Sequence, residues 1–319
     1  MNLGLGLNIA TTKSGGGLLT PFDSVAPTAG YSLRNLGLSY SGAVVRVRKD
    51  ITGNPEQDFT ASQITNGTLS NFLETLGTDA HSQSVSTQFE DLSDVSLICD
   101  CNSGGTDELD AFDALYANGF VSKWYDQFGS NDAVQTTATE QPKIWDSTTG
   151  LLTEGGRPAI EFDGVDDSLA TPDYIVELSQ NNATVLSVTK ALDSRYILVE
   201  ADVESPYSSN FILGSDDSSS ILWVNTTEFG VQPPTTQTLL GFTYNGTNFQ
   251  AYLNGSTSGS AGTASVNTEV FNKTVIGSRA DQSTGFYTGL IQEIITYKSD
   301  QTSNLTAIQN NINDYYDIY

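Results

Sequence analysis

Hydrophobic and polar residues alternate in short runs along the chain from residue 120 onward. Runs such as NATVLSVTKA, SILWVN and GLIQEIITY are separated by turns rich in Gly, Asn, Asp and Ser. A period of two places successive side chains on opposite faces of a strand, and steady spacing between turns is typical of all-β folds. The run TLLGFTYNGTNFQAYLNGS predicts a hairpin that turns at Asn245-Gly246. The pattern therefore predicts a β-sandwich over residues 116–319.

A helical period replaces this alternation near the end of the chain. Leu305, Ile308, Ile312 and Tyr315 recur at intervals that place them on one stripe of a helix. A hydroxyl residue at 302–303 can serve as the N-cap. We expect a single C-terminal helix that packs this stripe onto the sandwich.

The segment before residue 116 mixes several patterns. Val45 and Val47 alternate with arginines in AVVRVRK, which predicts a strand with one buried face. A short helix is predicted around Leu69–Leu76, and a second over 108–119, where Asn118-Gly119 would end it with a left-handed cap. The residues between these two helices are interpreted as an inserted loop.

The first 30 residues show neither period. Gly and Leu alternate in GLGLNIA, and KSGGG and two prolines follow. Such a composition predicts an extended arm at 1–30, which either anchors the protein to a neighbouring subunit or is a flexible terminus. We divide the chain into this arm, an N-terminal β-rich segment with an inserted loop and helix at 31–115, and the sandwich with its C-terminal helix at 116–319.

The charge of the chain limits its partners. The 319 residues include 13 basic and 38 acidic side chains, which gives a formal net charge of −25. Nucleic acids and anionic membrane surfaces attract proteins through Lys and Arg, so neither is expected as a partner. Neutral glycans and cations such as Ca²⁺ remain compatible, and so does a charge that serves solubility alone. No apolar run reaches the length of about 18 residues that predicts a membrane span.

Cysteine and histidine are scarce. Cys99 and Cys101 are one residue apart, so a disulfide between them would be strained and free thiols are expected. The single histidine, His81, excludes a His-rich zinc site and leaves a Ser–His–acid triad only one base. No cofactor is expected apart from Ca²⁺. Residues 1–13 lack the regions of a signal peptide, so we expect that the protein is made and kept in a cytoplasm or leaves it by assembly or lysis.

Three segments carry a resemblance to known families. The run KWYDQFGSNDAVQ, followed by QPKI and GRPAIEFDGVDDSL, resembles the laminin-G/concanavalin A-like sandwich domains of bacterial and phage proteins. The upstream run YSLRNLGLSYSGAVVRVRK is similar to the start of α-L-arabinofuranosidase B catalytic domains and of tailed-phage virion proteins. The closing run GLIQEIITYKSDQTSNLTAIQNNINDYY is similar to the last strand and helix of those sandwich domains.

The resemblance implies both a fold and a function. The expected fold is all-β, a concanavalin A-like antiparallel β-sandwich or jelly roll with an extended N-terminal arm and one C-terminal helix. The expected function is that of a bacteriophage virion structural protein, an exterior fibre, decoration or adsorption component that binds host glycans. It would be a homo-oligomer and contact other virion proteins through its arm. The alternative is an arabinofuranosidase-like glycoside hydrolase with two carboxylates, and a third reading is an architectural module without a ligand.

Acidic residues supply two candidate sites. Asp126 and Asp132 flank a Gly-Ser-Asn turn and are the candidate catalytic pair, because a glycosidase needs two carboxyl groups. The alternative is that they hydrogen-bond the backbone of the turn. Asp163, Asp166 and Asp167 form the densest acid cluster, which offers oxygen ligands for Ca²⁺. The alternative there is a bend between strand and turn with solvated acids.

Aromatic side chains supply the candidate sugar-binding residues. Trp124, Tyr125, Trp145 and Tyr207 are candidates because an aromatic ring can stack on the apolar face of a sugar. Trp223, inside the run SILWVN, is instead expected in the core. Packing in the core or at an interface is the alternative for the other four.

Overall fold

The computed structural model describes residues 20–75 and 115–319, apart from gaps at 174, 177, 179–181, 193–195, 202–208, 215–219, 225–226, 232–233 and 267–272. Several predictions concern residues outside this part of the chain. They are those on residues 1–19 of the arm, the inserted loop with His81, Cys99 and Cys101, most of the helix at 108–119, and Tyr207.

The structure is built mainly from strands. The first thirteen are β1 (Ala29–Ser32), β2 (Val45–Lys49), β3 (Glu56–Phe59), β4 (Glu74–Thr75), β5 (Leu115–Tyr116), β6 (Gly119–Trp124), β7 (Ala133–Val134), β8 (Lys143–Asp146), β9 (Gly150–Leu151), β10 (Thr153–Glu154), β11 (Arg157–Pro158), β12 (Ile160–Asp163) and β13 (Leu169–Ala170). The others are β14 (Ala183–Ala191), β15 (Tyr196–Ala201), β16 (Ser209–Gly214), β17 (Leu222–Val224), β18 (Thr227–Phe229), β19 (Thr238–Tyr244), β20 (Phe249–Leu253), β21 (Ser256–Gly262), β22 (Lys273–Ile276) and β23 (Thr288–Tyr297). The helices are α1 (Pro21–Ser24), α2 (Ala61–Thr65), α3 (Thr68–Leu73) and α4 (Leu305–Tyr316), with a 3-10 turn at Ala138–Glu140.

The strand pairings of the described residues are antiparallel, and 19 strands belong to one connected network. One ladder runs β12–β23–β14–β19–β20–β21, and β1 lies beside β12 along β23. A second ladder runs β3–β2–β6–β7–β13–β22–β15–β16–β17–β18. β8 pairs with β6 of the second ladder, and its Lys143 pairs with Glu161 of β12 in the first. β8 therefore joins the two ladders. The prediction of an all-β, antiparallel fold is confirmed.

Two apolar clusters lie on opposite faces of the first ladder. Along β14, Val185 belongs to the larger cluster, whereas Leu186 and Val188 belong to the smaller one. The larger cluster combines side chains from both ladders, and α4 completes the smaller one with Ile308 and Ile312. Full burial of such an aliphatic side chain contributes roughly 1.5–3 kcal/mol, so this stripe is the main attachment of the helix to the sheet.

The predicted hairpin turn at Asn245-Gly246 is confirmed. β19 and β20 pair on either side of it, and Oδ1 of Asn245 accepts the backbone N–H groups of Thr247 and Asn248. Gly246 has a φ of 86°, a left-handed backbone conformation that favours glycine.

The helix predicted at the end of the chain is also confirmed, because α4 buries Ile308 and Ile312. Its N-cap is Asn304, so the prediction of a hydroxyl cap is wrong. The hydroxyl of Thr302 instead donates to Asp300, which takes it away from the first turn of the helix. Among the described helices, none has the length and apolarity needed to cross a bilayer.

The two helices predicted upstream have different outcomes. α3 confirms the one around Leu69–Leu76, although it ends at Leu73. The helix at 108–119 is wrong over its last residues, because β5 pairs with β4 and Gly119 begins β6. That pairing is a contact between segments distant in sequence, which overrides the local helical spacing.

Residues 20–30 belong to the fold, so the predicted end of the arm at residue 30 is wrong. Phe22 of α1 is buried in the smaller cluster, and β1 pairs with β23 from its first residue. Gly30 of β1 has no Cβ, and the space that a Cβ would need is filled by Leu36 and Phe128, each 2.8 Å from its position. Burial of these side chains holds the segment against the sheet.

Candidate functional site

Three adjacent strands place charged side chains in one row on the surface. Arg46 of β2 lies opposite Asp58 of β3 and opposite Lys123 of β6. Val45 and Val47 are fully buried, so the alternation along β2 turns Arg46 to the other face. Neighbouring strands are about 4.8 Å apart, and the row therefore spans roughly 10 Å.

Arg46 and Asp58 form a two-point ion pair. Nε of Arg46 lies 2.6 Å from Oδ1 of Asp58, and Nη2 lies 3.0 Å from Oδ2. The two side chains keep 37% and 43% of their surface exposed. The hydrogen bond from Arg46 is the main reason that the pKa of the Asp58 carboxyl lies below its usual range. Asp58 is therefore ionised near neutral pH and balances the charge of Arg46.

Tyr125 lies between this ion pair and a second one. Its hydroxyl donates to Oδ1 of Asp58 at 2.8 Å. Nζ of Lys123 lies 5.1 Å from the centroid of the ring and 3.2 Å from Oδ2 of Asp132. Burial, together with the Asp58 carboxylate, raises the pKa of Tyr125 to about 12. These five residues, Tyr125, Arg46, Asp58, Lys123 and Asp132, are called the Tyr125 patch below.

Asp126 and Asp132 clamp the turn that follows β6. Oδ1 of Asp126 accepts the N–H groups of Gly30 and Phe128, both at 3.0 Å, and Oδ2 accepts that of Asn131 at 3.3 Å. Oδ1 of Asp132 accepts the N–H of Asp126 at 3.1 Å. Burial raises the pKa of Asp126, and the backbone donors oppose that shift. Each oxygen of the buried Asp126 carboxyl therefore already has a backbone partner. These contacts match the alternative interpretation, in which the two acids hydrogen-bond the backbone of the turn.

Burial separates the aromatic candidates from one another. Trp124 is 0% exposed and Trp145 is 9% exposed, so the prediction that they stack on a sugar at the surface is wrong. Trp124 packs against the ring of Tyr31, and Trp145 packs against that of Tyr116. Both belong to the larger apolar cluster. The burial of their large rings there stabilises the fold more than a surface position would. Tyr125 stays half-buried and is the predicted sugar-binding aromatic that the described surface retains.

The structure brings the carboxyl groups of Asp163, Asp166 and Asp167 together. One oxygen of each lies within 4.8 Å of the others. Oδ1 of Asp163 accepts the N–H groups of Val165 and Asp166, and Oδ2 of Asp167 accepts that of Asp163. Burial raises the pKa of Asp167 to about 7. Three carboxylates suit a hard cation such as Ca²⁺, and the Ca²⁺ site stays a prediction.

Three members of the Tyr125 patch were not among the predicted site residues. Arg46, Asp58 and Lys123 are charged and therefore suit a surface position, but only the folded sheet places them beside Tyr125. Trp223 was expected in the core and is half-buried instead, because Leu222 and Val224 on either side of it point inward. A local alternation could have placed Arg46 and Trp223 on an exposed face, because each lies between two buried apolar neighbours on its strand.

Solved structures of similar fold include two arabinofuranosidases. A GH54 α-L-arabinofuranosidase soaked with a cyclic sulfate inhibitor has a TM-score of 0.59 at 12% identity, over 92% of this chain and 64% of that one. An arabinofuranosidase complexed with arabinofuranosyl-α-1,2-xylobiose has a TM-score of 0.52 at 13% identity, over the same 92% and 64%. The chain thus spans just under two thirds of their length. No protein-family model matches the sequence, and no curated protein matches it. At this level of identity the likeness shows a shared fold.

Proposed function

We propose that the protein binds carbohydrate through the Tyr125 patch. The observation that carries the proposal is the position of Tyr125 between two ion pairs on the surface of adjacent strands. An aromatic ring supplies a surface for the apolar face of a sugar, and the charged groups around it supply donors and acceptors for hydroxyls. Paired strands hold these groups in place, so little side-chain ordering is needed on binding.

The shared fold supports a role in carbohydrate recognition but does not decide it. The arabinofuranosidases match 92% of this chain, and a fold of this kind can host unrelated functions. For that reason the proposal is argued from the side chains of the patch, and the shared fold is only consistent with it.

We propose binding without hydrolysis. A glycosidase needs one carboxylic acid to protonate the leaving group and a second carboxylate across the bond. The Asp126 carboxyl is buried and accepts three backbone N–H groups, and Asp132 is held by Lys123 and by the backbone. The pKa of Asp58 is lowered, which makes it a poor proton donor near neutral pH. The hydrolase alternative therefore has less support than binding.

We further propose a finer architecture and setting. The two ladders would stack as the sheets of a concanavalin A-like sandwich, supported by the apolar cluster that combines side chains of both. The protein would be an exterior, homo-oligomeric component of a bacteriophage virion, and its first residues would contact other virion proteins. The support for this setting is the likeness of KWYDQFGSNDAVQ and the two other segments to tailed-phage virion proteins.

Calorimetric titration with arabinofuranosyl-α-1,2-xylobiose, a neutral probe, tests the function. Tyr125→Ala should weaken binding about tenfold, an effect of roughly 1.4 kcal/mol, because it removes the ring on which a sugar would rest. Tyr319→Ala is the matched control, because that tyrosine is 47% exposed and lies against Gly255. The control should bind like the wild type.

Two results would contradict the proposal. Equal weakening in both variants would mean that Tyr125 has no special role. Release of the aryl group from an aryl arabinofuranoside by the wild type, lost in a carboxylate variant, would favour the hydrolase alternative.

A further inference from the structure

We infer that the ligand of the Tyr125 patch is a neutral glycan and not a uronate or another anionic sugar. This inference rests on the proposed function and adds the chemical class of the ligand. It follows from the state of the two cations of the patch, each of which already has a carboxylate partner.

The carboxylates that neutralise these cations are fixed from a second side. Asp58 holds Arg46 at two points and also accepts the hydroxyl of Tyr125. Oδ2 of Asp132 accepts a hydrogen bond from Nζ of Lys123, and Oδ1 accepts one from the backbone N–H of Asp126. An anionic sugar that paired with either cation would compete with a carboxylate that is already in place. Displacing that carboxylate would leave the hydroxyl of Tyr125 or the N–H of Asp126 without its acceptor.

The charge balance points in the same direction. The patch contains two cations and two carboxylates, so it carries no net charge, and the chain as a whole carries −25. A protein with this charge repels anions at long range. A sugar hydroxyl meets neither obstacle, because it can accept from the guanidinium donors that Asp58 leaves unused and donate to a carboxylate oxygen.

Two probes that differ in one sugar test the inference. They are arabinofuranosyl-α-1,2-xylobiose, which is neutral, and glucuronosyl-α-1,2-xylobiose, which carries a carboxylate. The wild type should bind the neutral probe about tenfold or more tightly than the acidic one, and that affinity should change little with added NaCl. Salt screens attraction between charges and leaves neutral contacts largely unaffected.

Asp58→Asn should remove most of this preference. The amide keeps an oxygen for the hydroxyl of Tyr125 but no longer neutralises Arg46, so affinity for the acidic probe should rise about tenfold and become salt-dependent. Glu154→Gln is the matched control, because Glu154 of β10 forms an ion pair with Lys190 of β14 and neither residue belongs to the patch. It should leave both affinities unchanged.

The possible outcomes separate the inference from the function on which it rests. Tighter binding of the acidic probe by the wild type, or no gain for that probe in a folded Asp58→Asn variant, would overturn the inference while leaving carbohydrate binding intact. If Asp58→Asn fails to fold, the comparison of the neutral and acidic probes on the wild type still decides the matter. If the wild type binds neither probe, the proposed function fails and the inference fails with it.

Discussion

Asp167, in the loop that follows β12, is buried close to the carboxyl groups of Asp163 and Asp166. Burial raises its pKa from the ordinary value of 3.8 to about 7. Between these two pH values the native state keeps a proton that the unfolded chain has lost. The native state therefore binds more protons than the unfolded state, and the stability that this group contributes falls as the pH rises from about 4 to about 7.

Asp167→Asn should remove this loss of stability. The amide oxygen can still accept the N–H of Asp163, and the group can no longer ionise. With a chelator present, the free energy of unfolding in urea at about pH 8 should be roughly 1–4 kcal/mol higher in the variant than in the wild type. Near pH 4 the two proteins should be almost equally stable. A constant difference between them over this whole pH range would show that Asp167 does not titrate as described.

Single residues also show how much of the candidate site the sequence reveals. Tyr125 could be named as a sugar-binding candidate from its run KWYD, and it lies on the surface. Trp124 in the same run could not be told apart from it, because composition does not reveal which of two neighbours faces the core. The partner Asp58 is 67 positions away from Tyr125 in the chain, and no local pattern connects the two.

At the scale of elements, a buried ion pair ties the segment after β1 to β23 beneath α4. Nε and Nη2 of Arg34 lie 2.8 Å and 2.9 Å from the two oxygens of Glu293, which is buried. The hydroxyls of Ser32 and Tyr316 also donate to Glu293, at 2.8 Å and 3.2 Å. Among the described residues, the hydrogen-bond donors to this carboxylate come from β1, from the segment after it, and from α4.

Arg34→Met should destabilise the protein by about 3–5 kcal/mol, because it leaves the buried Glu293 charge without its cation. Urea unfolding measures the change. The double variant Arg34→Met/Glu293→Gln should recover part of the loss, since it removes the stranded charge as well. A single variant that costs under about 1 kcal/mol would mean that the pair is as weak as one on the surface.

Elements were predictable where their pattern is local. The alternation along β2 predicts the buried face of Val45 and Val47, although Arg48 on the other face is buried as well. The apolar stripe of α4 predicts the buried face of that helix, which is confirmed. β4 and β5 form by pairing with each other across a long stretch of chain. They were not predicted, because Leu115 and Tyr116 lie at helical spacing in the sequence. The same holds for β1, whose partner β23 lies near the other end of the sequence.

For the whole molecule, periodicity predicts an all-β fold, and the antiparallel ladders agree with it. The connection between the ladders depends on pairings such as that of β12 with β8, which no period reveals. The likeness to arabinofuranosidases places the chain among folds that serve several purposes. The carbohydrate binding that we propose depends on the side chains of the Tyr125 patch, which lie on β2, β3, β6 and the turn that follows β6.

Amide chemical-shift mapping by NMR tests this central claim most directly. As arabinofuranosyl-α-1,2-xylobiose is added, the shifts that change should be those of β2, β3, β6 and the turn after Tyr125. The chemical shifts of the amides in the acidic loop at 163–167 and of the buried Trp145 should not change. Shifts that concentrate in that loop, or on strands remote from Tyr125, would contradict the account.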